Sequence, residues 1–361
     1  MPSKIPTAGI FIPTMNRVDF VIRQLRYYAA LSCPHTIYVG DSSPKEESQK
    51  IEEEIKRLDG KIKAVYKYMP GYNDWEAHYQ LITMVKEEYI CYSGDDDYQI
   101  PNSITKCIEF LETHPDYTSA SGHAVSFRLK EGTLNGALER LGDYPRQEIE
   151  DKTAKERILK FFNNYYVTHF SVNRTNLLKA HWKISGDIPD RSFRSEITPT
   201  SLPLVYGKSK IIDCLGFVRQ IHKNHYNLSN MYDWVTHDDW LPSYKTFEKI
   251  LAETVSQKDK ISFDKACVTI RTGFRSHLYK QFAKEYAQIS LASVNKKPPV
   301  KLRTVFSTKF PILKRMYHKI FKSTVSKKNH IHYDVLQFDS KYYDDFKPVM
   351  DSFSGNTDGQ A

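Results

Sequence analysis

The sequence predicts an α/β fold, with a parallel, Rossmann-like sheet in the first half and a mostly helical C-terminal region. Short apolar runs alternate with segments of helical spacing over about the first 115 residues, which is the order of strand–helix–strand units. Polar and acidic residues follow these runs, as they do in ligand-binding loops at the carboxyl edge of a parallel sheet. Residues 244–291 keep helical spacing almost throughout.

Four strands and four helices are predicted in the first half. The strands are 8–13, 36–40, 61–69 and 88–92, and the helices are 18–28, 45–58, 74–85 and 102–113. Asp59-Gly60 ends the second helix and Pro70-Gly71 closes the third strand, because Asp, Gly and Pro favour turns. Since a helix separates each strand from the next, the connections are crossovers and the strands parallel.

The pattern is less regular from residue 117 onward. Strands are predicted at 120–129, 166–172 and 210–218, and helices at 154–162 and 195–206. The Gly-rich residues 132–145 are predicted to form a surface loop, and residues 351–361 a flexible tail, because small polar residues at a terminus pack poorly.

Composition places the chain among ordinary globular proteins. It has 361 residues, of which 40% are hydrophobic and 26% charged, and this length allows about two domains. It contains neither a run of 18 apolar residues nor a signal-peptide core, so no transmembrane helix is predicted. Five dispersed cysteines without CxxC spacing indicate reduced thiols in a cytosolic protein, not disulfides or a zinc site.

The net charge of +9 is concentrated in one segment. Residues 295–330 carry eleven Lys or Arg and no acid, so the rest of the chain is slightly acidic. On a helix, the apolar residues of 311–325 would occupy one half of the circumference and the basic residues the other. That pattern is typical of a helix lying on an anionic membrane surface. The alternative is that the apolar face packs on the protein itself. Nucleic acid is not a predicted partner.

The most informative motif is Asp95-Asp96-Asp97, which follows the predicted strand 88–92. Three adjacent carboxylates repel one another, so the fold has to supply positive charge beside them. A divalent cation with oxygen ligands, shared with substrate phosphates, is the usual source. The alternative is a solvated acidic turn that caps the helix 102–113.

Three motifs in this order resemble the GT-A-fold glycosyltransferases, in particular bacterial family 2-like enzymes that build surface polysaccharides. The first strand leads into Ile10-Phe-Ile-Pro-Thr-Met-Asn-Arg17, similar to the family's opening pattern IPTxNR. The second strand ends in Gly40-Asp41-Ser42-Ser43, where the family places an acidic residue against the nucleobase. The acidic triplet stands where the family's DxD motif follows the fourth strand. The resemblance covers about residues 5–225.

The resemblance implies a nucleotide-sugar donor, UDP-linked, bound together with Mn²⁺ or Mg²⁺. Asp97 would ligate the metal, and Asp95 would share the metal or hold the ribose, although the roles within the triplet are open by one position. The implied donor-binding residues are Pro13, Thr14, Arg17, Asp41, Asp95, Asp96 and Arg219. From the residues alone, Thr14 or Asn16 could instead cap the following helix.

Glycosyl transfer with inversion needs one general base to deprotonate the acceptor hydroxyl. The resemblance implies an acidic residue well beyond the DxD motif, at the head of a helix that ends in Gly. Glu196, with Gly207 after the helix, fits this layout, but Ser195 stands where the family has a second acid. Asp190 is the second candidate, and a helix-capping role for Glu196 is the third interpretation.

Three residues after the strand 210–218 are candidates for completing the metal site or clamping the diphosphate. They are Arg219, His222 and His225. Imidazole is an acceptable metal ligand, and Arg binds phosphate in a bidentate manner. The alternative for the histidines is an ordinary surface position.

Together these inferences divide the chain into a GT-A catalytic domain at 1–240 and a helical region at 241–350, followed by the tail. The donor half is about 1–115 and the acceptor half about 116–240. The implied function is a metal-dependent, inverting glycosyltransferase with a glycan or lipid-linked acceptor, cytoplasmic and peripheral on the inner face of the cell membrane.

Three other functions compete with this one. A sugar-phosphate nucleotidylyltransferase needs a Gly-rich phosphate loop after the first strand, and residues 13–16 contain no glycine. A nucleic-acid enzyme could use the turn Gly94-Asp95-Asp96, although the confined basic segment argues against it. A non-catalytic carbohydrate-binding protein would bind a donor without turning it over.

Overall fold

The computed structural model describes residues 6–130, 134–222, 229–293 and 330–354. Its strands are β1 Ala8–Thr14, β2 Thr36–Asp41, β3 Lys63–Tyr68, β4 Tyr89–Tyr92, β5 Tyr98–Gln99, β6 Tyr117–Leu129, β7 Leu138–Tyr144, β8 Val172–Arg174 and β9 Lys208–Gln220. Its helices are α1 Val18–Ala30, α2 Lys45–Arg57, α3 Asp74–Met84, α4 Pro101–Thr113, α5 Ala154–Asn163, α6 Thr175–Ser185, α7 Thr198–Tyr206, α8 Met231–Thr236, α9 Trp240–Asp259, α10 Phe263–Ser293, α11 Ile331–Asp334 and α12 Tyr343–Phe353.

The first four strands form a parallel sheet in the order β3-β2-β1-β4. Ile10 of β1 lies opposite Ile37 of β2 and Cys91 of β4. Ile10 packs into a core with α1 and α2, whereas its neighbour Phe11 packs on the other face with α3 and α6. Because both faces are covered, β1, β2 and β4 are largely buried apolar runs, whereas the edge strand β3 contains two lysines. The predicted α/β, Rossmann-like fold class is confirmed.

The second half of the sheet is mixed. β8 is antiparallel to β4 and β6, and β9 is parallel to β6. The short strand β5, which directly follows the acidic triplet, pairs with β9 so that Tyr98 lies opposite Val218. This pairing brings the residues that follow Val218 beside the triplet.

Helices α9 and α10 pack on α5 and α7 around a second core. Its largest buried side chains include Phe162, Phe193, Phe247 and Phe274. Phe193 opens a π-helical turn, Phe193–Ile197, between α6 and α7. The helical region therefore supports the backbone that carries Glu196.

The C-terminal helix α12 returns to the first half of the chain. The hydroxyls of Tyr98 and Ser352 lie 2.7 Å apart, and the rings of Phe127 and Phe353 stack with centroids 4.9 Å apart. Residues 351–353 are therefore helical and packed, although they were predicted to belong to a flexible tail. Their apolar contacts outweigh the polar composition around them.

The prediction of a loop over residues 132–145 was wrong for its second part. β7 pairs antiparallel with β6 and places Leu141 opposite Phe127 and Tyr144 opposite Ala124. Leu138 and Leu141 are half-buried against the first core. The strand is specified by its long partner β6, and its own residues have little β propensity.

The prediction of a strand over residues 166–172 was also wrong. A 3₁₀ turn occupies Thr168–Phe170, and the strand that follows is only Val172–Arg174. The Thr168 hydroxyl donates to the Thr200 carbonyl at 2.9 Å, and His169 is hydrogen-bonded to the Thr200 hydroxyl at 2.9 Å. These bonds to α7 replace pairing with a neighbouring strand. The helix α6, which comes next, was not predicted.

Three predictions fall wholly or mostly outside the described residues. Almost all of the basic segment 295–330 lies there, and so do His225 and residues 355–361 of the predicted tail. Within the part of the chain that the structure describes, no helix has the length and apolar character needed to cross a membrane.

Candidate functional site

The acidic triplet forms a tight, buried turn between β4 and β5. Asp95, Asp96 and Asp97 are only 7%, 5% and 3% exposed, and the Asp97 amide donates to the Gly94 carbonyl at 3.1 Å. A Cβ on residue 94 would lie 2.8 Å from Asp97 Oδ2 and 2.9 Å from Asp96 Oδ1. Only glycine leaves room for carboxylates this close to the backbone. The burial excludes the alternative of a solvated acidic turn.

Positive charge and hydrogen bonds compensate two of these carboxylates. Arg17 Nη1 lies 3.0 Å from both Asp95 Oδ1 and Asp96 Oδ2. The Thr14 hydroxyl donates to Asp95 Oδ2 at 2.9 Å, and His222 Nε2 lies 2.8 Å from Asp96 Oδ2. Burying charges without such partners would cost several kcal/mol each. The end of β1 and the end of β9 thus meet at the triplet.

The connection from β1 to α1 contacts the triplet and does not cap the helix. α1 begins at Val18, and no side chain forms an N-cap hydrogen bond there, so the capping alternative for Thr14 and Asn16 is wrong. Asn16 has a φ of 58° and its amide donates to the Ser43 hydroxyl at 2.9 Å. This bond links the loop after β1 to the loop after β2. Pro13 pairs with Gly40 near the ends of the same two strands.

Asp41 lies at the end of β2 and is fully buried. Its Oδ1 accepts from the Ser43 amide at 2.8 Å, and its Oδ2 accepts from the Tyr66 hydroxyl at 3.0 Å. Asp41 is also the residue of β2 opposite Thr14. It therefore fixes the two loops that border the triplet.

The side chain of Gln24, in α1, holds the acidic turn through the turn's backbone carbonyls and the Ser93 hydroxyl. Its Nε2 donates to the Ser93 hydroxyl at 2.8 Å, to the Gly94 carbonyl at 2.9 Å and, closer still, to the Asp97 carbonyl. Sequence reasoning missed this residue. The available signal was a polar side chain at an inward position of an amphipathic helix, next to Leu25.

The neighbouring Arg23 joins the turn to β9 and was also missed. Its Nη2 donates to Gln220 Oε1 at 2.7 Å and approaches the Asp96 carbonyl at 3.5 Å. The backbone amide of Gln220 in turn donates to Asp97 Oδ1 at 3.1 Å. Both carboxylate and backbone of the triplet are thus positioned by α1 and by the last residues of β9.

Electrostatics at the turn favour an added cation. Burial raises the pKa of Asp95 to about 6, Asp96 adds to the rise, and Arg17 opposes it. Burial and the nearby Asp96 also raise the pKa of Asp97, against the opposing charge of Arg219. Ionised carboxylates are therefore costly here. A bound divalent cation would remove that cost.

The donor atoms fit Mn²⁺ or Mg²⁺ held jointly with a substrate. Carboxylate oxygens are the ligands these ions prefer, and Mg²⁺ is usually held by one or two carboxylates plus substrate phosphates. Among the described residues, the triplet and His222 do not supply three ligand atoms that all lie within 4.8 Å of one another. The triplet thus fits an ion held by one or two carboxylates together with a substrate, not a closed protein cage.

Arg219, in β9, interacts electrostatically both with the triplet and with Glu196 of the π-helical turn. Its Nη1 donates to the Tyr144 hydroxyl at 2.8 Å, and its guanidinium lies 5.7 Å from the centre of the Phe170 ring. Although burial opposes it, the carboxylate of Asp97 raises the pKa of Arg219. The same guanidinium lowers the pKa of Glu196. Asp97 and Glu196 therefore both interact electrostatically with this one cation.

A second arginine, Arg146, lies beside the first and was not predicted. Its guanidinium is 5.6 Å from the Tyr144 ring and 5.3 Å from the Phe217 ring, and Nη1 donates to the Val167 carbonyl at 3.2 Å. Arg146 follows β7 directly. Because the sequence predicts a loop in place of β7, it gives no indication that Arg146 lies near Arg219.

Glu196 lies in the π-helical turn and is half-buried. The Tyr165 hydroxyl donates to Glu196 Oε1 at 2.9 Å. Burial raises the pKa of Glu196, while the Tyr165 hydrogen bond, Arg191 and Arg219 lower it. Arg191 is itself ion-paired with Asp74 at 2.6 Å. Single π-helical turns often occur at functional sites.

Asp190 is occupied by structural contacts. Its Oδ1 accepts from the Phe193 amide at 3.0 Å, and its Oδ2 accepts from Trp234 Nε1 at 3.0 Å. Its own amide donates to the Ser243 hydroxyl at 2.9 Å. Asp190 therefore caps the turn that carries Glu196 and attaches that turn to α8 and α9.

Comparison with known proteins gave matches in structure only. No protein-family model and no curated protein sequence matches the chain. Residues 1–349 of TarS from S. aureus, in complex with UDP-GlcNAc, match with a TM-score of 0.44 and 11% identity over 77% of this chain and 92% of that chain. The mannosyltransferase PcManGT from Pyrobaculum calidifontis, in complex with GDP-Man and Mn²⁺, matches with a TM-score of 0.44 and 9% identity over 90% of this chain and 84% of that chain.

A longer TarS structure matches with a TM-score of 0.40 and 11% identity over 75% of this chain, which spans 55% of that chain. At these identities and TM-scores, function has to be inferred from the residues of the site.

Proposed function

We propose that the chain is a glycosyltransferase that moves a sugar from a nucleotide-sugar donor to an acceptor hydroxyl, with a divalent cation bound at the acidic triplet. The observation that supports this most is the buried triplet at the carboxyl edge of the parallel sheet, flanked by Arg17 and Arg219. Ligands of open α/β sheets bind at this edge. Buried acids beside arginines suit a diphosphate and its metal, because the carboxylates can neutralise the metal ion and the arginines can neutralise the diphosphate.

The donor would lie across the ends of β1, β2 and β4. Asp97 would hold Mn²⁺ or Mg²⁺ together with Asp95 or Asp96, and Arg219 would bind the diphosphate. When bound, the cation stabilises negative charge on the departing diphosphate, an effect of several kcal/mol. Pro13 and Thr14 at the end of β1 and Asp41 at the end of β2 would contact the nucleoside. UDP is the nucleotide that we propose.

Glu196 is the proposed general base. Its carboxylate is half-buried and accepts one hydrogen bond from a side chain, that of Tyr165. A pKa raised by burial brings a carboxylate closer to the operating pH, which favours proton transfer. Asp190 is a weaker candidate because its two oxygens already accept from Phe193 and Trp234.

The proposed reaction is a single displacement with inversion. The acceptor oxygen forms a bond to the anomeric carbon while the bond from that carbon to the diphosphate oxygen breaks. The acceptor proton passes to Glu196, and the nucleoside diphosphate leaves with the electron pair. The proposed acceptor is a glycan or a lipid-linked glycan, and the basic segment 295–330 would hold the enzyme at the inner face of the cell membrane.

A thermal-shift screen of nucleotides and nucleotide sugars, with Mn²⁺, Mg²⁺ or EDTA, tests this proposal. A ligand that binds only the folded state raises apparent stability by mass action. We expect one nucleotide and its sugar conjugates to raise Tm in the presence of metal and much less in EDTA. The exposed carboxylate of Asp116 provides a matched control, since Asp116→Asn should leave the shift unchanged while Asp97→Asn removes its metal dependence. If no nucleotide or nucleotide sugar shifts Tm with either ion, the proposal is wrong.

A further inference from the structure

A second group of metal-ligating side chains lies away from the acidic triplet. Asp143, in β7, faces His330 and His332 at the start of α11. Asp143 Oδ2 is 2.6 Å from His330 Nδ1, and Asp143 Oδ1 is 2.8 Å from His332 Nδ1. Across residues 6–130, 134–222, 229–293 and 330–354, this is the one group of three whose ligand atoms all lie within 4.8 Å of one another.

The backbone presents the two imidazoles in a fixed position. Ile331, between the histidines, is 6% exposed and belongs to the first core, as does Val335. The His332 amide donates to Asp143 Oδ1 at 2.9 Å. Because the anchoring isoleucine points inward, the histidines on either side of it are held beside the same carboxylate. A preorganised set of ligands binds a metal with less loss of entropy.

Both the ring and the backbone amide of His332 face the same oxygen of Asp143. Its side chain is 16% exposed, and its Nδ1 lies near Asp143 Oδ1 without the alignment of a hydrogen bond. That oxygen already accepts from the His332 amide. A metal ion held jointly by the imidazoles and the carboxylate would use the lone pair of His332 Nδ1.

We propose that Asp143, His330 and His332 bind a transition-metal ion of the Zn²⁺ class. Two imidazole nitrogens and one carboxylate oxygen suit Zn²⁺, whereas Mg²⁺ and Ca²⁺ prefer oxygen ligands alone. Three protein ligands leave a position for water or for a further ligand. This site is independent of the proposed donor site.

The ion would attach the C-terminal segment to β7. Within residues 330–354, Tyr342 donates to Asp213 Oδ1 of β9 at 2.7 Å, and α12 packs on α1. α1 also carries Arg23 and Gln24, which hold the acidic turn. A metal link at residue 143 would therefore stabilise the packing of α12 behind the donor site without touching the substrate.

Calorimetric titration of the tag-free full chain with Zn²⁺, after chelator treatment and dialysis and in the absence of nucleotide, tests the proposal. We expect one tight site in the wild type and in Asp97→Asn. His332→Ala and Asp143→Asn should weaken that site by more than the roughly 10–100-fold that loss of an outer-shell partner costs. His237→Ala is the matched control, because His237 lies 3.7 Å from Asp239 in an exposed pair that has no third metal ligand among the described residues. This variant should bind Zn²⁺ as the wild type does.

Two further measurements make the outcome decisive. Zn²⁺ should raise Tm of the wild type but not of His330→Ala, whose half-exposed ring can be removed without disturbing the core. Co²⁺ should give the visible absorption of a site with nitrogen ligands in the wild type and in Asp97→Asn. The same absorption should be lost in Asp143→Asn, His330→Ala and His332→Ala. The proposal is overturned if His332→Ala and Asp143→Asn keep wild-type stoichiometry and affinity, or if Asp97→Asn is the variant that loses the site.

Discussion

At the scale of single residues, Glu196 and Asp190 differ in the contacts that their carboxylates already make. Asp190 caps the π-helical turn and accepts from Trp234, whereas Glu196 accepts from the Tyr165 hydroxyl and interacts electrostatically with Arg219. We expect Glu196→Gln to reduce turnover by about 10²–10⁴-fold, because it removes the base and keeps the shape. Steady-state kinetics, with donor affinity measured separately, checks this. Near-normal turnover by the variant would show that another group takes the proton.

The pH dependence gives an independent test of the same residue. Glu196 has to be ionised to accept a proton, so the rate should fall as the pH drops through its pKa, which burial raises above the ordinary value. Tyr165→Phe removes a hydrogen bond that favours the carboxylate, so the acid limb of the rate profile should move to higher pH. An unchanged acid limb, or one moved to lower pH, would contradict the role of Glu196.

At the scale of the acidic turn, Gly94 is required by the crowding of two carboxylates. A Cβ there would lie within 3 Å of Asp96 and Asp97 oxygens. We expect Gly94→Ala to lower the free energy of unfolding by about 1–3 kcal/mol and to weaken metal-dependent donor binding. Gly142→Ala is the control, since its Cβ would meet only Ser126 Oγ at 3.8 Å. Chemical denaturation of both variants checks this, and equal stability for the two would contradict the steric account.

Individual strands and helices show how much of the fold and of the site the sequence predicts. β1, β2 and β4 were predicted almost to the residue, since strands covered on both faces are continuous apolar runs. β7 was missed because its pairing with β6, and not its own sequence pattern, specifies the strand. Arg146 comes just after β7 and was missed for the same reason. Gln24 was missed because a polar side chain directed inward becomes informative only when its partners, the Gly94 and Asp97 carbonyls, are known.

At the scale of the whole molecule, the basic segment 295–330 carries the prediction of membrane binding. If the segment forms the predicted helix, its apolar half would supply affinity, and its basic residues would add attraction to anionic lipid that is screened over roughly 8 Å at physiological salt. We expect the protein to co-sediment with phosphatidylglycerol-containing liposomes at low salt, and less at high salt. Ile320→Glu combined with Phe321→Glu should reduce binding further. If the wild type does not co-sediment at low salt, the segment does not bind membranes.

The central claim is that the acidic triplet binds a nucleotide-sugar donor through a divalent cation. The most direct test measures release of nucleoside diphosphate from the donor found in the thermal-shift screen, with Mn²⁺ or with excess EDTA, for the wild type, Asp97→Asn and Asp116→Asn. We expect release by the wild type and Asp116→Asn with Mn²⁺. EDTA or Asp97→Asn should reduce it by about 10²-fold or more, since several kcal/mol of charge stabilisation are lost. Equal release by the wild type in Mn²⁺ and in excess EDTA, or wild-type release by Asp97→Asn, would contradict the claim.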